Sequence, residues 1–255
     1  MKEIIATQGL VKNYYRNHNS NHPEARIEVL KGLDLSILEG EYVCIMGSSG
    51  GGKTTLLKIL GMMESITDGE YYFQGKDASK LWKDELADIR RKKIGFVFQD
   101  YYLMDSLSVE ENIMVPMILD KAPADKMREK MHSLTERFGV EKLTRKAPCE
   151  LSGGEKQRVA ICRALMNDPD IIMADEPTGN LDAKSSRRLM ETFDSINQEM
   201  KKNIILVTHD PKIARCSNKI FFIDDGVIVK TLKKKEGDSA AFYKEILHEM
   251  EEMEE

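Results

Sequence analysis

The chain has 255 residues, of which 41% are apolar and 32% are charged, and its formal net charge is −5. This length and composition fit a soluble globular protein with one large α/β domain or two small lobes. The acidic balance gives no electrostatic reason to expect a nucleic-acid partner. No apolar run approaches the roughly 20 residues of a membrane span, and the N-terminus lacks a secretory signal, so we expect a cytoplasmic chain.

The cysteines exclude one class of metal site. Cys44, Cys149, Cys162 and Cys216 are scattered along the chain and form no C-x-x-C pair. Cys44 and Cys162 lie in apolar runs, so we expect both to be small core residues.

The first part of the chain predicts strands that lead into a glycine-rich loop. Residues 3–11 contain an apolar run that suits a strand, and the polar stretch at 16–23 suggests a surface loop. Alternating apolar residues at 29–37 predict a half-buried strand, and the short run at 42–46 predicts a buried one. Residues 56–60 have helical character, so the local order is strand, loop, helix.

The loop in that unit matches the phosphate-binding pattern G-x-x-x-x-G-K-[ST], with a chance match as the alternative. Glycines suit such a loop because the backbone must wrap closely around phosphate oxygens, and the helix N-terminus attracts the anion. Lys53 would reach the β- and γ-phosphates, and the Thr54 hydroxyl would hold Mg²⁺. The candidate nucleotide-binding residues are Gly47, Ser48, Ser49, Gly50, Gly51, Gly52, Lys53, Thr54 and Thr55.

Strand and helix patterns alternate after the phosphate loop. The turn signal Asp68-Gly69 precedes a short predicted strand at 70–73, and a helix follows at 82–91. The apolar run at 94–98 predicts a strand that delivers Gln99 at its end.

Residues 100–168 are predicted to be mainly helical, which suggests a helical lobe inserted into an α/β core. A helix is expected at 109–119 with an interruption at Pro116, and a clearer one at 124–138. The second helix has an apolar face, which indicates core packing or, alternatively, a partner-docking surface made adaptable by methionine. That face consists of Met127, Met131, Leu134 and Phe138.

The last part of the chain returns to alternating strands and helices. The predicted elements are a strand at 170–175, a helix at 183–200, a strand at 203–208 that closes on His209, and a hairpin at 220–229 around Asp225-Gly226. The tail from Ser239 is helix-prone, and we expect its acidic end, 249–255, to be solvated and frayed.

Asp175 and Glu176 follow the predicted strand at 170–175, where phosphate-loop ATPases hold an acid near Mg²⁺. Adjacent acids on an extended segment point in different directions, so they can divide roles. We assign Asp175 to the Mg²⁺ ligands and Glu176 to polarising the attacking water. The alternative is a pair that merely caps the strand.

The segment 151–155 combines a helix start with consecutive glycines. Ser152 and Glu155 have the capping-box spacing S-x-x-E, so an ordinary helix cap is one interpretation. Gly153 and Gly154 are unfavourable in a first helical turn, and they are explained if a ligand approaches the bare backbone there. Exposed amides at a helix start bind anions.

Taken together, these motifs resemble the nucleotide-binding subunit of an ATP-binding-cassette (ABC) transporter. The resemblance extends over nearly the whole chain, because the motifs stand in the family's order and at its separations. The matching segments are the phosphate loop, Gln99 as the glutamine hinge, 151–155 as the signature, 171–176 as the second nucleotide motif, 179–182 as the D-loop and His209 as the switch histidine.

The resemblance implies an α/β fold, the phosphate-loop NTPase core of an ABC ATPase with a mixed sheet and an inserted helical subdomain. The nucleotide-binding domain is then residues 1–235, with its core at about 1–98 and 169–235 and the helical subdomain at about 99–168. Residues 236–255 form an acidic C-terminal helical tail.

The resemblance also implies a mechanism that uses two copies of the chain, paired head to tail. ATP on Lys53 of one copy is sandwiched against Ser152, Gly153 and Gly154 of the other. Tyr14 would stack on adenine, with Tyr15 as the alternative that the spacing favours less. Gln99 would contact Mg²⁺ and water, and His209 would contact the γ-phosphate. Asp182 would cross the dimer interface, and Thr178 and Gly179 would position the D-loop.

Within the family, the chain resembles the macrolide-exporter and lipoprotein-release group, and most of all the bacitracin-exporter type. The implied partner is a separate polytopic permease at the cytoplasmic face of the cell membrane, which removes antimicrobial peptides. Two alternative functions stay open. One is a cell-division-type signalling ATPase that drives a transmembrane lever, and the other is a lipoprotein-release ATPase. A DNA-maintenance ATPase is disfavoured, because the chain has no C-x-x-C hook and no room for a long coiled coil.

The sequence departs from the family pattern at two places. Gly51 stands where serine is more usual, a change that the loop should tolerate. The loop at 16–28 is somewhat long, so the details of the adenine site are left open.

Overall fold

The computed structural model describes residues 2–15, 26–235 and 239–253. The predicted loop at 16–23 and the last two acidic residues of the tail lie outside the described residues. The chain forms two compact units: unit 1 is 1–86 with 205–255, and unit 2 is 87–204. The predicted helical subdomain, 99–168, lies wholly within unit 2.

The order of strands and helices follows the predicted alternation. The first half contains β1 (Glu3–Tyr15), β2 (Arg26–Leu38), β3 (Tyr42–Gly47), α1 (Lys53–Leu60), β4 (Asp68–Phe73), β5 (Lys76–Asp77), α2 (Lys83–Lys93), β6 (Ile94–Phe98), α3 (Val109–Leu119) and α4 (Ala124–Arg137). The second half contains α5 (Gly153–Leu165), β7 (Ile171–Asp175), α6 (Ala183–Gln198), β8 (Asn203–Val207), α7 (Pro211–Ala214), β9 (Lys219–Asp224), β10 (Val227–Lys233) and α8 (Ser239–Glu252).

Unit 1 contains an antiparallel sheet and a mixed sheet. The antiparallel sheet has the order β2-β1-β4-β5. In the mixed sheet, β3 runs parallel to β9, and β10 pairs antiparallel with β9. Every residue of β3 before Gly47 is buried, as expected for a strand that is covered on both faces. Cys44 is fully buried there, which confirms its predicted place in the core.

Two predictions for the antiparallel sheet of unit 1 were wrong in detail. The first strand continues to Tyr15, because β1 pairs with β2 along this whole stretch. Asp68-Gly69 is no turn but the start of β4. A Cβ on Gly69 would lie 2.2 Å from the carbonyl oxygen of Gly9, so the glycine allows β4 to approach β1 closely.

Unit 2 packs helices against a parallel strand pair. β6 and β7 are parallel, with Phe98 opposite Asp175 at their carboxyl ends. Helix α5 packs on β6 and on α3, and it buries Cys162 as predicted. Met131 and Leu134 of helix α4 and Phe138, its C-cap residue, are buried, which supports core packing for most of the predicted apolar face.

Helix α3 is continuous across Pro116, so the predicted interruption was wrong. A proline in a helix removes one backbone hydrogen bond. Here the helix continues only to Leu119, and the amide of Asp120 donates to the Pro116 carbonyl oxygen at 3.2 Å, which closes the last turn.

The C-terminal tail is more ordered than predicted. Helix α8 reaches Glu252 and buries Phe242 and Ile246. Lys230 of β10 forms an ion pair with Glu249 at 2.9 Å. The expectation of a frayed end was therefore wrong for the described part of the tail.

Candidate nucleotide site

The phosphate loop lies in unit 1 between β3 and α1, as predicted. Gly47 has φ +145°, and a Cβ there would lie 1.8 Å from the carbonyl oxygen of Ile223. Only glycine permits this approach of the loop to the end of β9. The hydroxyl of Ser48 donates to the Asp224 carboxylate at 2.8 Å, which ties the loop to the same strand.

Lys53 and the N-terminus of helix α1 place positive charge at the phosphate loop. The ammonium of Lys53 donates to the carbonyl oxygens of Gly47 at 3.0 Å and Ser48 at 2.6 Å, so it lies across the loop. Helix α1 has Gly52 as its N-cap without a side-chain cap, and its first turn has no acidic residue. Such a helix start carries partial positive charge that attracts phosphate.

His209 opens onto the same cavity as the phosphate loop. This cavity of unit 1 has a volume of about 430 Å³. His209 and the first residues of the phosphate loop line it together, which is compatible with the predicted contact of His209 with the γ-phosphate. The lining residues are Met46, Gly47, Ser48, Ser49, His209, Phe222, Met250 and Met253.

Sequence reasoning missed the contribution of the tail to that cavity. Met250 and Met253 belong to the C-terminal segment that was predicted to be solvated. The signal was present, because Phe242, Ile246 and Met250 recur at the spacing of one helix face.

Tyr14 is held close to the phosphate loop. Its hydroxyl donates to the Glu64 carboxylate, and Lys12 lies 4.9 Å from the centre of its ring. Burial and the hydrogen bond to Glu64 raise the pKa of the Tyr14 hydroxyl. A hydrogen bond with Thr55 of helix α1 lowers this pKa, but its effect is smaller. Tyr15 is 56% exposed. Adenine stacking by Tyr14 stays a prediction.

In unit 2, the glutamine hinge and the D-loop are in contact. Gln99 follows β6, and Asp175 ends the neighbouring β7. The side-chain amide of Asn180 donates to the Gln99 carbonyl oxygen at 3.2 Å. A Cβ on Gly179 would lie 2.9 Å from the end of the Gln99 side chain, so a larger residue there would displace that side chain.

Glu176, the predicted catalytic base, has an uncommon backbone. Its φ is +43°, in the left-handed region that non-glycine residues rarely adopt. The amide of Gly179 donates to its carbonyl oxygen at 3.0 Å and closes the turn. Strained residues of this kind cluster at active sites, where the surroundings hold them in place.

Ser152 forms the predicted capping box at the start of α5. The Glu155 carboxylate accepts from the Ser152 amide at 2.8 Å and from its hydroxyl at 2.7 Å. These bonds lower the pKa of the Glu155 carboxyl. The helix-cap interpretation therefore holds as local structure, and it is compatible with anion binding at the same helix start.

The signature glycines have neighbours within the chain. A Cβ on Gly153 would lie 3.0 Å from the Tyr101 hydroxyl, and one on Gly154 would lie 3.2 Å from the Ser185 hydroxyl. The sequence argument explained both glycines by ligand approach alone. Their tight packing is a second reason for them.

Asp182 acts as the N-cap of α6. Its carboxylate accepts from the amides of Ser185 and Lys184 and from the Ser185 hydroxyl. The amide and hydroxyl of Ser185 contribute most to lowering its pKa. An interface-crossing role for Asp182 stays a prediction.

Residues 30–179 match the family model described as "ABC transporter". The chain belongs to the ABC transporter family. As a member it is an ATP-binding and ATP-hydrolysing cassette, which confirms the fold class and the activity expected from the motifs.

Similar proteins agree with this membership. The chain is 41% identical to the bacitracin export ATP-binding protein BceA of Halalkalibacterium halodurans, over 86% of this chain and 87% of that protein. It is 44% identical to the macrolide export ATP-binding/permease protein MacB of Syntrophobacter fumaroxidans, over 89% of this chain and 31% of that protein. The predicted likeness to both exporter types is confirmed.

A solved structure shows the same fold. It is a dimeric ATP-binding cassette in a post-hydrolysis state bound to ADP and Pi, with TM-score 0.81 and 36% identity over 91% of this chain and 99% of that one. Within the described ranges of our chain, every helix falls short of the length and hydropathy needed to cross a membrane.

Proposed function

We propose that this chain is the ATPase subunit that powers a separate polytopic permease, and that the permease removes antimicrobial peptides. The observation that carries the proposal is the identity to BceA, which extends over most of both chains. The site residues of units 1 and 2 supply the chemistry that this role requires.

Nucleotide binding is assigned to unit 1. The phosphate loop and Lys53 hold the β- and γ-phosphates, Tyr14 stacks on adenine, and His209 contacts the γ-phosphate. Lys53 already lies across the loop carbonyls, and Tyr14 is linked to the loop helix through Thr55. These contacts support the assignment.

The predicted Mg²⁺ ligands fit the preference of that ion. Thr54 offers a hydroxyl, Gln99 an amide oxygen and Asp175 a carboxylate, and Mg²⁺ binds hard oxygen ligands of these kinds. Among the described residues, no cluster of three or more His, Cys, Asp or Glu side chains offers an alternative metal site. Bound Mg²⁺ would neutralise charge on the transferred phosphoryl group.

Hydrolysis is assigned to the residues of unit 2. Glu176 polarises the attacking water, with Gln99 oriented by Asn180 and Gly179 beside it. A positioned general base contributes about 10²–10⁴-fold to a rate. The left-handed backbone of Glu176, with φ +43°, is a kind of strain that clusters at active sites, and it supports this role.

A second copy completes the site in the proposed mechanism. Ser152, Gly153 and Gly154 of one copy lie against the ATP held by the other, and Asp182 crosses the interface. The similar solved cassette is described as dimeric. ATP binding then closes the pair and hydrolysis reopens it, which can drive a partner that binds the two states differently.

The permease contact is assigned to unit 2, at the cytoplasmic face of the membrane. Both units expose large apolar side chains, which are typical of interaction surfaces where they form a patch. Those of unit 2 are the ones that we assign to the permease contact. They are Tyr102, Met104, Ile118 and Leu119.

The proposal is tested by deletion and by co-purification with the permease encoded nearest to the gene. We expect the deletion strain to become sensitive to bacitracin, wild-type chain to restore resistance, and the Glu176→Gln variant to fail although it still binds the permease. Unchanged drug sensitivity together with a division defect would instead favour the signalling ATPase. Absence of any permease in gentle detergent would contradict both.

A further inference from the structure

Residues 101 and 102, directly after the glutamine hinge, adopt an unusual backbone. Tyr101 has φ +62° and Tyr102 has φ +45°. Bulky residues rarely enter this left-handed region, and consecutive ones do so only where the surroundings impose it. Backbone hydrogen bonds from the Tyr101 amide to the Phe98 carbonyl oxygen and from the Tyr102 amide to the Asp100 carbonyl oxygen close the turn, and a side-chain group holds it in addition.

Arg163 of helix α5 is that group. One terminal nitrogen of its guanidinium donates to the Tyr101 carbonyl oxygen at 2.6 Å, and the other donates to the Tyr102 carbonyl oxygen. Burial lowers the pKa of Arg163, but a guanidinium stays charged at neutral pH in spite of such a shift. A planar fork can satisfy both carbonyls at once, whereas a lysine ammonium lacks this geometry.

The held turn lies beside the signature helix and directly after the glutamine hinge, which the D-loop contacts. The Tyr101 hydroxyl reaches the first turn of α5, 3.0 Å from the position of a Cβ on Gly153. The Tyr102 ring packs edge-on against Phe98 at 5.0 Å between ring centres. Asn180 of the D-loop binds both the Gln99 carbonyl oxygen and the Asp100 carboxylate at 3.2 Å.

We propose that Arg163 is a positioning residue that locks the segment after Gln99 onto the signature helix. It touches no nucleotide; it acts through the Tyr101 and Tyr102 carbonyls and so fixes where Gln99 and the start of α5 lie. The inference rests on the proposed roles of Gln99 and Ser152 in ATP hydrolysis. ATP affinity should not depend on Arg163, because the binding residues Lys53 and Tyr14 belong to unit 1.

The test compares Arg163→Lys, which keeps the charge, with the matched control Arg137→Lys. Arg137 is also an arginine of unit 2, but it donates to Ser195 and Glu199 of α6 and to none of the motif residues. We expect Arg163→Lys to lower kcat for ATP about tenfold, a loss of the size of a hydrogen bond to a charged group. Its KM should stay within twofold of wild type, and the control should match wild type in both.

Hydrogen exchange gives a readout that does not depend on turnover. Amides of residues 100–104 should exchange at least tenfold faster in Arg163→Lys, while the amides of β7 keep their protection. Unchanged exchange in 100–104 would overturn the inference even if the chain hydrolysed no ATP. Loss of protection throughout unit 2 would also overturn it, because Arg163 would then be a general stabilising residue.

A second variant separates positioning from simple loss of stability. Glycine adopts positive φ as readily as negative φ, so Tyr102→Gly removes part of the need for a clamp. We expect Tyr102→Gly in the Arg163→Lys background to recover at least threefold in kcat. Absence of recovery, with both variants folded, would contradict the claim that Arg163 acts by holding this backbone.

Discussion

Units 1 and 2 organise their predicted chemistry in different ways. In unit 1, the phosphate loop and its helix are one continuous segment, so a short motif contains most of the nucleotide site. In unit 2, Gln99, Ser152, Glu176 and Asp182 come from distant parts of the sequence and are held by hydrogen bonds and tight glycine contacts. Variants in unit 1 should therefore change ATP affinity or local stability, whereas variants in unit 2 should change turnover.

The largest expected effect is in unit 2. Glu176→Gln should lower the rate of ATP hydrolysis about 10²–10⁴-fold, because it removes the proposed general base. ATP affinity should remain, since the binding residues are in unit 1. Phosphate release and a fluorescent ATP analogue measure the two quantities, with Glu199→Gln as the control. A rate within threefold of wild type would place the base elsewhere.

The next effect tests unit 1. Lys53→Ala should weaken ATP binding about 10–100-fold, the loss expected for hydrogen bonds from a charged donor to phosphate. Lys58→Ala is the matched control, because Lys58 is an exposed lysine in the last turn of the same helix. Titration calorimetry measures both affinities. Equal affinities would refute the assignment of Lys53.

The geometry of the phosphate loop can be tested through stability. Gly47→Ala should lower the free energy of unfolding by about 1–3 kcal/mol, because the added Cβ meets the Ile223 carbonyl. Gly50→Ala is the control: its φ is also positive, at +84°, but no atom lies within 4 Å of the added Cβ. Urea denaturation measures both. Equal losses would show that backbone strain, and not close approach, makes Gly47 necessary.

The smallest effect concerns the cap of α5 in unit 2. The folded pKa of Glu155 is lowered by its bonds to Ser152, so Glu155 stabilises the fold above the ordinary glutamate pKa. That contribution is lost as the pH falls through the lowered value. Glu155→Gln should therefore destabilise the chain at pH 7, and the difference from wild type should shrink towards pH 3. A difference that is independent of pH would contradict the capping role of the carboxylate.

Local patterns predicted much of the fold and part of the site. The strand at 94–98, the helix from Lys53 and the Ser152 cap follow from apolar periodicity and from side chains that bind nearby backbone. These features depend on residues that are adjacent in sequence. The phosphate loop was predictable for the same reason.

The errors and omissions concern contacts between distant segments. Asp68-Gly69 has turn composition, but its position is decided by the approach to Gly9. The carbonyl oxygens of the left-handed Tyr101-Tyr102 turn accept hydrogen bonds from Arg163, more than sixty residues later in the chain. No local pattern contains such information, so contacts between distant segments needed the structure in both units.

The central claim is that the signature helix start of one copy completes the ATP site of another. The most direct test measures mass by sedimentation in the presence of ATP. It compares the Glu176→Gln variant with a double variant that carries Glu176→Gln and Ser152→Arg. We predict an ATP-dependent dimer for the first, and a monomer that still binds ATP for the second. A dimer of equal stability in both would contradict the claim.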